Sequence, residues 1–350
     1  MDNIRPHLLA SDFDLILKRT SGILEYFDHS SIFITGGTGF IGTWLVESLL
    51  WAQHKLDLDI TISVLSRDPN RFLRSNRYLL NNKYLHFIEG DVRNFKYPKK
   101  KFTHIIHAAT AASAKLNAEN PLEMFDTTVL GTRNIMAFAQ ICGASNILQT
   151  SSGGVYGNQY DILKVTEDYS GAPSPMDPFA AYSESKRASE MLGKIYSDQV
   201  GFSHKIARIT ATVGPRLPLD IHFALGNFIR DGLAGRPINI LGDGTPYRSY
   251  LYVGDMIAWL LTILAKGKSN YPYNVGSDHA ISILETAKAV NTAFGGNLTI
   301  KLGKKPLIDG RPSRYVPSTD RAKNELGLDQ WTDLGTSITK TIDWYRAMTL

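Results

Sequence analysis

Tyr182 and Lys186 are the pair of side chains in this 350-residue sequence whose types and spacing most clearly indicate chemistry. On a helix, a separation of four residues places both side chains on one face. A lysine cation beside a phenol stabilises the phenolate, so we expect the pKa of Tyr182 to fall from about 10 toward the working pH. Such a phenol exchanges a proton with a hydroxyl or carbonyl group during hydride transfer. A serine hydroxyl at a neighbouring strand end, such as Ser151-Ser152, would orient the same oxygen.

A glycine-rich turn follows the apolar run at residues 31–35, which is typical of a buried strand. Gly37, Gly39 and Gly42 fit the pattern G-x-G-x-x-G. Gly36, Gly39 and Gly42 equally fit the pattern G-x-x-G-x-x-G. In either register, the missing side chains tighten the turn and let backbone N–H groups approach a diphosphate at the N-terminus of the next helix. The strand before the glycines and the helical pattern after them favour a dinucleotide-binding turn.

The end of the second predicted strand, residues 60–65, indicates which dinucleotide is bound. In dinucleotide-binding folds an acidic residue here accepts hydrogen bonds from the ribose 2′-hydroxyl of NAD, whereas an arginine accommodates the 2′-phosphate of NADP. The chain has Ser66 and then Arg67 at this position, and this pair slightly favours NADP over NAD. Because Asp68 is able to reach back to the ribose and Arg67 to stack on adenine, NAD stays open as the alternative.

The order of the remaining elements predicts a doubly wound α/β fold. Apolar runs at residues 85–92, 104–109 and 146–151 alternate with helical segments such as 121–141. This alternation is typical of a parallel sheet with helices on both faces, where ligands bind at the carboxyl ends of the strands. The glycines, the serines and the small residues after the fourth strand all fall at those ends. We interpret His107, which ends the fourth strand, as a core histidine.

Composition excludes several other kinds of protein. Hydrophobic residues make up 43% and charged residues 20% of the chain, as in ordinary globular proteins. The net charge of +5 is mild and no nucleic-acid motif accompanies it, so we expect no DNA or RNA partner. The single cysteine, Cys142, excludes a disulfide within the chain and a cysteine metal cluster, and no metal is expected. Without a hydrophobic signal segment or an apolar run of membrane-spanning length, we expect a cytoplasmic enzyme with no membrane partner.

Taken in order, these motifs resemble those of the extended short-chain dehydrogenases/reductases, in particular the NAD(P)-dependent nucleotide-sugar epimerases, dehydratases and reductases. The resemblance covers about residues 30 to 330 and rests on TGGTGFIG at 35–42, HAA at 107–109, SSGGVYG at 151–157 and YSESK at 182–186. It implies a catalytic set of Ser152, Tyr182 and Lys186, with Lys186 also holding the nicotinamide ribose. It implies a cofactor site in which the turn lines the diphosphate and the third strand end contacts adenine, formed by Gly36, Gly39, Phe40, Ile41, Gly42, Ser66, Arg67, Asp91, Val92, Ala108, Ala109 and Lys186.

The C-terminal part resembles the substrate-binding lobe of the same family. The segment 242–255 is similar to the family's substrate-diphosphate segment, in which Arg248 would pair with phosphate through its planar donor fork. The resemblance also implies substrate contacts from Asn227 and from Arg314, which lies in one loop with Arg311. The expected partner is therefore a nucleotide-diphosphate sugar.

Two glycines after Ser152 reduce the number of reactions that we expect. The family's sugar 4,6-dehydratases carry an Asp-Glu pair directly after the catalytic Ser or Thr, which moves protons at C5 and C6, and its UDP-glucuronate decarboxylases carry a glutamate at the second position. This chain has Gly153 and Gly154 there. We therefore expect a 4-epimerase or a 4-keto-sugar reductase, which needs only hydride and proton exchange at C4. The alternatives are a dehydratase or decarboxylase that uses acids from elsewhere, and a cofactor-binding regulatory protein without turnover.

The sequence predicts three regions and one mode of association. We expect residues 1–29 to form a helical appendage, with a helix running to about Tyr26. Residues 30–215 should form the dinucleotide-binding domain, and residues 216–350 mainly the nucleotide-sugar-binding lobe, partly interleaved with the first domain. Because the two helices before and after the fifth strand often pack as a four-helix dimer bundle in this family, the resemblance also implies a homodimer.

Overall fold

The computed structural model describes residues 8–110, 114–159, 162–220, 224–305 and 312–349. Its strands are β1 (Ser30–Thr35), β2 (Ile60–Ser66), β3 (Leu85–Glu89), β4 (His104–His107), β5 (Asn146–Ser152), β6 (Ser203–Ile209), β7 (Thr212–Val213), β8 (Ile238–Ile240), β9 (Tyr247–Arg248), β10 (Leu251–Tyr252), β11 (Pro272–Val275), β12 (Ile281–Ser282), β13 (Ile300–Leu302) and β14 (Arg314–Tyr315). Seven of them form one parallel sheet in the order β11-β6-β5-β4-β1-β2-β3. The predicted doubly wound parallel sheet is confirmed.

The helices cover both faces of this sheet. They are α1 (Ala10–Arg19), α2 (Phe40–Leu56), α3 (Pro69–Ser75), α4 (Ala114–Glu119), α5 (Pro121–Cys142), α6 (Ala181–Val200), α7 (Ala224–Leu233), α8 (Val253–Lys266), α9 (Ile283–Ala293), α10 (Asp320–Leu326) and α11 (Leu334–Thr349). Side chains alternate between the two faces of a strand, so Ile32 and Ile34 of β1 pack in one core with α1, α2 and α8, and Phe33 packs in another with α5. Within the described residues, no helix combines the length and the apolar character that a bilayer span requires.

The N-terminal helix is shorter than the sequence predicts. After α1 ends at Arg19, Gly22 adopts a φ of +73°, and Leu24–Phe27 form a single 3₁₀ turn. The left-handed backbone of Gly22 interrupts helical geometry. Leu24 and Phe27 are instead buried in the core by the turn.

Polar contacts fix α1 to the rest of the chain. The Asp12 carboxylate, buried in this helix, accepts hydrogen bonds from the Tyr252 hydroxyl at 2.7 Å and from Lys340 Nζ at 2.9 Å. Arg19, the last residue of α1, forms an ion pair with the buried Asp255 of α8. The helix is therefore an integral part of the packed structure.

A second, smaller core lies in the C-terminal part of the chain. It is built around Val213 and side chains of α7, α9, α11, β8 and β13. Between these elements the chain returns to the central sheet, where β11 pairs with β6 and α8 joins the large core. The described residues also form three small sheets, β10-β7, β13-β8 and β12-β9-β14, and the last of these carries residues of the site.

Candidate active site

The glycine turn after β1 leaves little room for side chains. Gly36 has a φ of +71°, and a Cβ atom on it would lie 2.6 Å from the carbonyl oxygen of Ala108. A Cβ on Gly42 would lie 2.1 Å from the carbonyl oxygen of Gly36, whereas one on Gly39 would lie 3.3 Å from that oxygen. Only glycine therefore allows α2 to begin this close to β1. The two possible registers differ in their first glycine. Gly36 has a positive φ and faces backbone atoms, whereas a Cβ on Gly37 would meet a side chain, Val64 Cγ1 at 2.7 Å, so the turn depends more strictly on Gly36.

The N-terminus of α2 presents backbone donors beside this turn. Gly39 is the N-cap without a capping side chain, and Thr43 N–H donates to the Gly39 carbonyl at 2.9 Å. The N–H groups of Phe40, Ile41 and Gly42 precede this first helical bond, so they have no partner within the helix. A cavity of about 770 Å³ opens here, lined among others by Thr38, Phe40, Ser66, Arg67, Arg71 and Arg216. The bare glycine turn, the donors and the cavity fit a dinucleotide.

Arginines border the cavity beyond the end of β2. Ser66 and Arg67 both line it. The Asp68 carboxylate caps α3 by accepting from the Arg71 N–H at 2.8 Å, and the Asp68 N–H donates to Ser66 Oγ at 3.3 Å. Arg71 also lines the cavity, although the sequence analysis did not select it. The dipeptide Asp68-Pro69 signals a helix start and would have placed Arg71 one turn beyond Arg67.

The predicted adenine contacts lie directly after β3. Arg93 Nε donates to Asp91 Oδ1 at 2.9 Å, and this hydrogen-bonded pair holds the pKa of Asp91 below its usual range. The Val92 carbonyl accepts from Asn134 Nδ2 at 2.8 Å. The positive charge of Arg67 also acts on Asp91, so the ends of β2 and β3 lie close together, as binding one adenosine requires.

The end of β4 supplies small residues and a buried histidine. The backbone N–H groups of Ala108 and Ala109 donate to the carbonyl and the hydroxyl of Thr35, at 3.2 and 3.1 Å. His107 Nδ1 lies 2.8 Å from Thr35 Oγ1, and its Nε2 lies 3.0 Å from Thr132 Oγ1. Burial lowers the pKa of His107 to about 3, so the imidazole is neutral. The interpretation of His107 as a core histidine is confirmed.

Ser152, Tyr182 and Lys186 meet at the carboxyl end of β5. Ser152 is the last residue of that strand, and the other two lie in the first two turns of α6. Lys186 Nζ lies 5.9 Å from the centroid of the Tyr182 ring and donates to the Thr150 carbonyl at 2.8 Å. Ser152 Oγ accepts from the Gly154 N–H at 3.1 Å, which leaves the serine proton available for a phenol or a substrate oxygen.

The expected decrease in the pKa of Tyr182 is wrong for this site. Burial raises the pKa of Tyr182, and a hydrogen bond from Ser152 opposes that rise. Burial also lowers the pKa of Lys186 to about 8, while the Glu190 carboxylate acts in the opposite direction. Both groups are poorly solvated, and desolvation disfavours phenolate and ammonium alike. Lys186 is therefore mostly cationic at neutral pH, and Tyr182 is protonated.

Tyr315 is a site residue that the sequence analysis missed. It lies on β14, a strand of two residues without a recognisable motif. Its hydroxyl is hydrogen-bonded to Ser152, and a Cβ atom on Gly153 would lie 2.7 Å from that hydroxyl. Burial raises the pKa of Tyr315 to about 12. No local signal identifies this residue, because its contact with β5 is made only in the folded chain.

The two predicted substrate arginines lie on adjacent strands but on opposite faces of the β12-β9-β14 sheet. Arg248 is in register with Tyr315, and Arg314 is in register with Tyr247. Since successive residues of a strand face opposite sides, Arg248 shares the face of Tyr315. The Arg314 guanidinium instead stacks 4.4 Å from the centre of the Tyr247 ring. The structure therefore brings Arg248, and not Arg314, to the side of Ser152.

Asn227 and Arg311 are the other residues that the sequence predicts near the substrate. Asn227 is half-buried on α7, between the buried residues Gly226 and Phe228. Arg311 lies outside the described residues. Among the described residues, no hydrogen bond or ion pair links Asn227 to Ser152.

Comparison with protein families agrees with this geometry. The model of the NAD dependent epimerase/dehydratase family matches residues 32–276. UDP-glucuronic acid decarboxylase 6 of Arabidopsis thaliana is 32% identical over 301 residues, which make up 85% of this chain and 83% of that protein. UDP-glucuronic acid decarboxylase 1 of Xenopus tropicalis is 29% identical over 319 residues, or 91% of this chain and 73% of that protein.

Two solved structures of nucleotide-sugar epimerases superpose on most of this chain. The UDP-glucose 4-epimerase of Thermus thermophilus, in complex with NAD, has a TM-score of 0.74 at 26% identity and covers 90% of this chain and 99% of its own. The UDP-glucuronic acid 4-epimerase of Bacillus cereus, in complex with UDP-glucuronic acid and NAD, has a TM-score of 0.77 at 21% identity and covers 91% and 99%. At the lower identity the likeness establishes the fold alone.

Proposed function

This chain belongs to the NAD-dependent epimerase/dehydratase family, and from that premise we propose that it acts at the C4 carbinol of a nucleotide-diphosphate sugar, as a 4-epimerase or a 4-keto-sugar reductase. Membership places it among the NAD-dependent nucleotide-sugar enzymes, and the reaction at C4 is our proposal. One observation supports it: Ser152, Tyr182 and Lys186 lie together at the end of the parallel sheet that also carries a glycine turn with the geometry of a dinucleotide site.

Each of the three side chains has a distinct role in the proposed reaction. Tyr182 donates its proton to the C4 oxygen when a ketone is reduced, and its phenolate accepts the proton when the carbinol is oxidised. Ser152 donates a hydrogen bond to the same oxygen. Lys186 stabilises the phenolate through its positive charge. When bound, the nicotinamide supplies the hydride chemistry, with its diphosphate held by the glycine turn and the α2 N-terminus.

Decarboxylation of a nucleotide-linked uronic acid is the second candidate. It is favoured by the relatives that carry the name UDP-glucuronic acid decarboxylase, one of them 32% identical over 85% of this chain. It is disfavoured by Gly154, which stands where the resemblance places the decarboxylase glutamate. This reaction would need an acid from another element of the fold.

The proposed function is tested by combining released cofactor with turnover. The nucleotide that the purified protein releases on denaturation is identified by mass spectrometry. Native protein is incubated separately with UDP- and dTDP-hexoses and their 4-keto derivatives. Near-stoichiometric NAD(H) with interconversion of C4 epimers indicates an epimerase, and exchangeable NADP(H) consumed by a 4-keto sugar indicates a reductase. Release of carbon dioxide from a uronic acid would identify the second candidate. Cofactor binding without turnover of any sugar would contradict both and favour a regulatory protein.

Two arginines that follow β2 lead us to predict a preference for NADP. We propose that Arg67 and Arg71 bind the 2′-phosphate, because both line the cavity and the Asp68 carboxylate is engaged in capping α3. Replacing either with alanine should weaken NADP(H) binding by about 10- to 100-fold, the effect of one charged hydrogen bond, and leave NAD(H) binding within about twofold. Titration of both cofactors by fluorescence measures this. Arg74→Ala, an exposed arginine on α3 outside the cavity lining, is the matched control. Equal losses for both cofactors would contradict the assignment.

The packing of α5 against α6 supports a proposed homodimer. Five large apolar side chains on these two packed helices remain exposed: Leu122, Leu130, Ile141, Met191 and Ile195. Burying such a surface in a four-helix bundle would favour association. We expect light scattering to give twice the mass of one chain, and Ile141→Asp with Met191→Asp to give one chain mass. Leu241→Asp, at a still more exposed site in the C-terminal part, should leave the dimer intact. A monomeric wild-type mass at micromolar concentration would contradict this proposal.

A further inference from the structure

Glu190 places a largely buried carboxylate one helical turn beyond Lys186. The two residues are four apart on α6, so their side chains share one face of the helix. Of the Glu190 side chain, 12% is exposed. The proton transfer proposed above does not use this group. Because solvent screens a buried charge weakly, its carboxylate acts on neighbouring groups more strongly than a surface acid would.

The central sheet fixes the position of this carboxylate. Arg208, on β6, donates from Nε to Glu190 Oε1 at 3.0 Å and from Nη2 to Glu190 Oε2 at 2.7 Å. Ser151, on β5, donates its hydroxyl proton to the same Oε1. A bidentate pair of this kind sets the orientation of the carboxylate as well as its distance. Glu190 thereby attaches α6 to two neighbouring strands.

The end of β5 is joined to α6 by three hydrogen bonds from consecutive residues. Residues 150–152 each contribute one group, and the α6 side chains that they bond are spaced four residues apart: Tyr182, Lys186 and Glu190. The first two side chains belong to the reaction centre. The third continues the connection to Arg208 and hence to β6. The contacts of Glu190 therefore help to keep α6 in register with β5.

The charges around Lys186 give Glu190 an influence on its protonation. The Lys186 ammonium group donates to a neutral acceptor, the Thr150 carbonyl. Burial lowers the pKa of Lys186 to about 8, and the negative charge of Glu190 opposes that decrease. Two further titratable neighbours are uncharged at neutral pH, since burial lowers the pKa of His107, on β4, to about 3 and raises the pKa of Tyr182. Glu190 therefore supplies a negative charge that favours the ammonium form.

The groups around Glu190 show what its charge balances. Arg208 is a second cation beside this carboxylate, in addition to Lys186. Glu190 also acts on His204, of β6, and on Tyr156, in the turn after β5. Both are uncharged at neutral pH, because burial lowers the pKa of His204 to about 4 and raises the pKa of Tyr156. Loss of the carboxylate would leave the two cations without their shared counter-charge, which disfavours the ammonium form of the lysine.

We propose that Glu190 is a positioning residue for the reaction at C4, which keeps Lys186 in the ammonium form and holds α6 in register with β5. The inference rests on the proposed function, because that function assigns Lys186 to the stabilisation of the Tyr182 phenolate. Glu190 acts through Lys186 in this role. Removal of its charge should therefore change the pH range over which the enzyme is active.

The first test is the pH profile of Glu190→Gln, which removes the charge and keeps the size of the side chain. In this variant the pKa of Lys186 should fall by about one unit, a tenfold change in its protonation equilibrium. The ammonium form exists below that pKa, so activity that needs it is lost at lower pH than in the wild type. We expect kcat/KM to lie within about twofold of wild type at about pH 6 and to be about tenfold lower at about pH 9.

NMR measures the same change without turnover. Lysines labelled with carbon-13 at Cε are titrated in protein loaded with the cofactor that it releases, and Lys186→Arg identifies the signal of Lys186. Its midpoint should move down by about one pH unit in Glu190→Gln. Asp198→Asn is the matched control, because Asp198 is an exposed acid on the same helix that pairs with Lys194. This control should leave both the midpoint and the pH profile unchanged.

Two further variants separate charge from position. Glu190→Asp keeps the charge and shortens the side chain, so the Lys186 midpoint should stay near that of the wild type while kcat falls by one factor at every pH. Glu190→Gln combined with Arg208→Gln avoids an unpaired buried cation. This double variant should still lower the midpoint, because it lacks the carboxylate that acts on Lys186. Melting temperatures show whether each variant is folded.

The outcomes distinguish this inference from the proposed function. An unchanged Lys186 midpoint in folded Glu190→Gln, or a loss of kcat/KM by the same factor at every pH, overturns the role of Glu190. Either result, with wild-type turnover at C4, leaves the proposed function intact. A lowered midpoint in Glu190→Gln, with a wild-type protein that turns over no sugar at C4, overturns the proposed function and supports the effect of Glu190 on Lys186.

Discussion

Replacing Tyr182 with phenylalanine is expected to lower turnover by about 10²- to 10⁴-fold, the usual contribution of a positioned acid–base group. The substitution removes one oxygen and keeps the ring that lies 5.9 Å from Lys186 Nζ. Lys186 retains its hydrogen bond to the Thr150 carbonyl, so its ammonium group keeps its position. Cofactor affinity and melting temperature should therefore change little. Initial rates, cofactor titration and thermal unfolding of one preparation measure all three quantities.

Tyr196→Phe is the matched control for this experiment. Tyr196 lies on the same helix, α6, but packs against the core between α5 and the sheet. Its hydroxyl is not part of the cluster at the end of β5, so turnover should stay within about twofold of wild type. Should Tyr182→Phe retain wild-type turnover, another group must handle the proton at C4, and our assignment of the acid would be wrong.

Replacing Gly42 with alanine is expected to abolish tight cofactor binding and to destabilise the fold. The new Cβ would lie 2.1 Å from the Gly36 carbonyl oxygen and 2.6 Å from the Gly37 Cα, and neither backbone atom belongs to a flexible side chain that yields easily. The turn must open, which moves the N-terminus of α2 away from the diphosphate position. Overpacking of this kind lowers the free energy of unfolding by about 1–3 kcal/mol. Denaturant unfolding with and without NAD(H) or NADP(H) measures both effects.

Two other glycines make this prediction specific. Gly242→Ala is the control for stability, since a Cβ at that position meets no atom within 4 Å, and it should behave like wild type. Gly39→Ala tests the site itself, because its Cβ would approach only the Gly36 carbonyl oxygen, at 3.3 Å. We expect it to fold normally and still bind cofactor poorly, because the methyl group stands where backbone donors approach the diphosphate. Unchanged cofactor affinity in both Gly39→Ala and Gly42→Ala would contradict a dinucleotide site at this turn.

Local sequence determined the parts of this protein that depend on backbone conformation. The strand before Gly36 and the helix after Gly42 were predictable, because a short β-branched run and a glycine cluster restrict the chain whatever lies around them. The same holds for the alternation of strands and helices that gives the parallel sheet. The pairing of Tyr182 with Lys186 follows from helical periodicity alone.

Only the tertiary structure decided which side chains complete the site and how their charges behave. Tyr315 reaches Ser152 from a strand far along the chain, and the pairing of β14 with β9 turns Arg314 away while it brings Tyr315 to the site. A spacing rule cannot contain this information, because it describes neighbours on one element and not contacts between elements. The pKa of Tyr182 shows the same limit: the sequence indicates the nearby cation, but burial in the folded protein sets the direction of the shift.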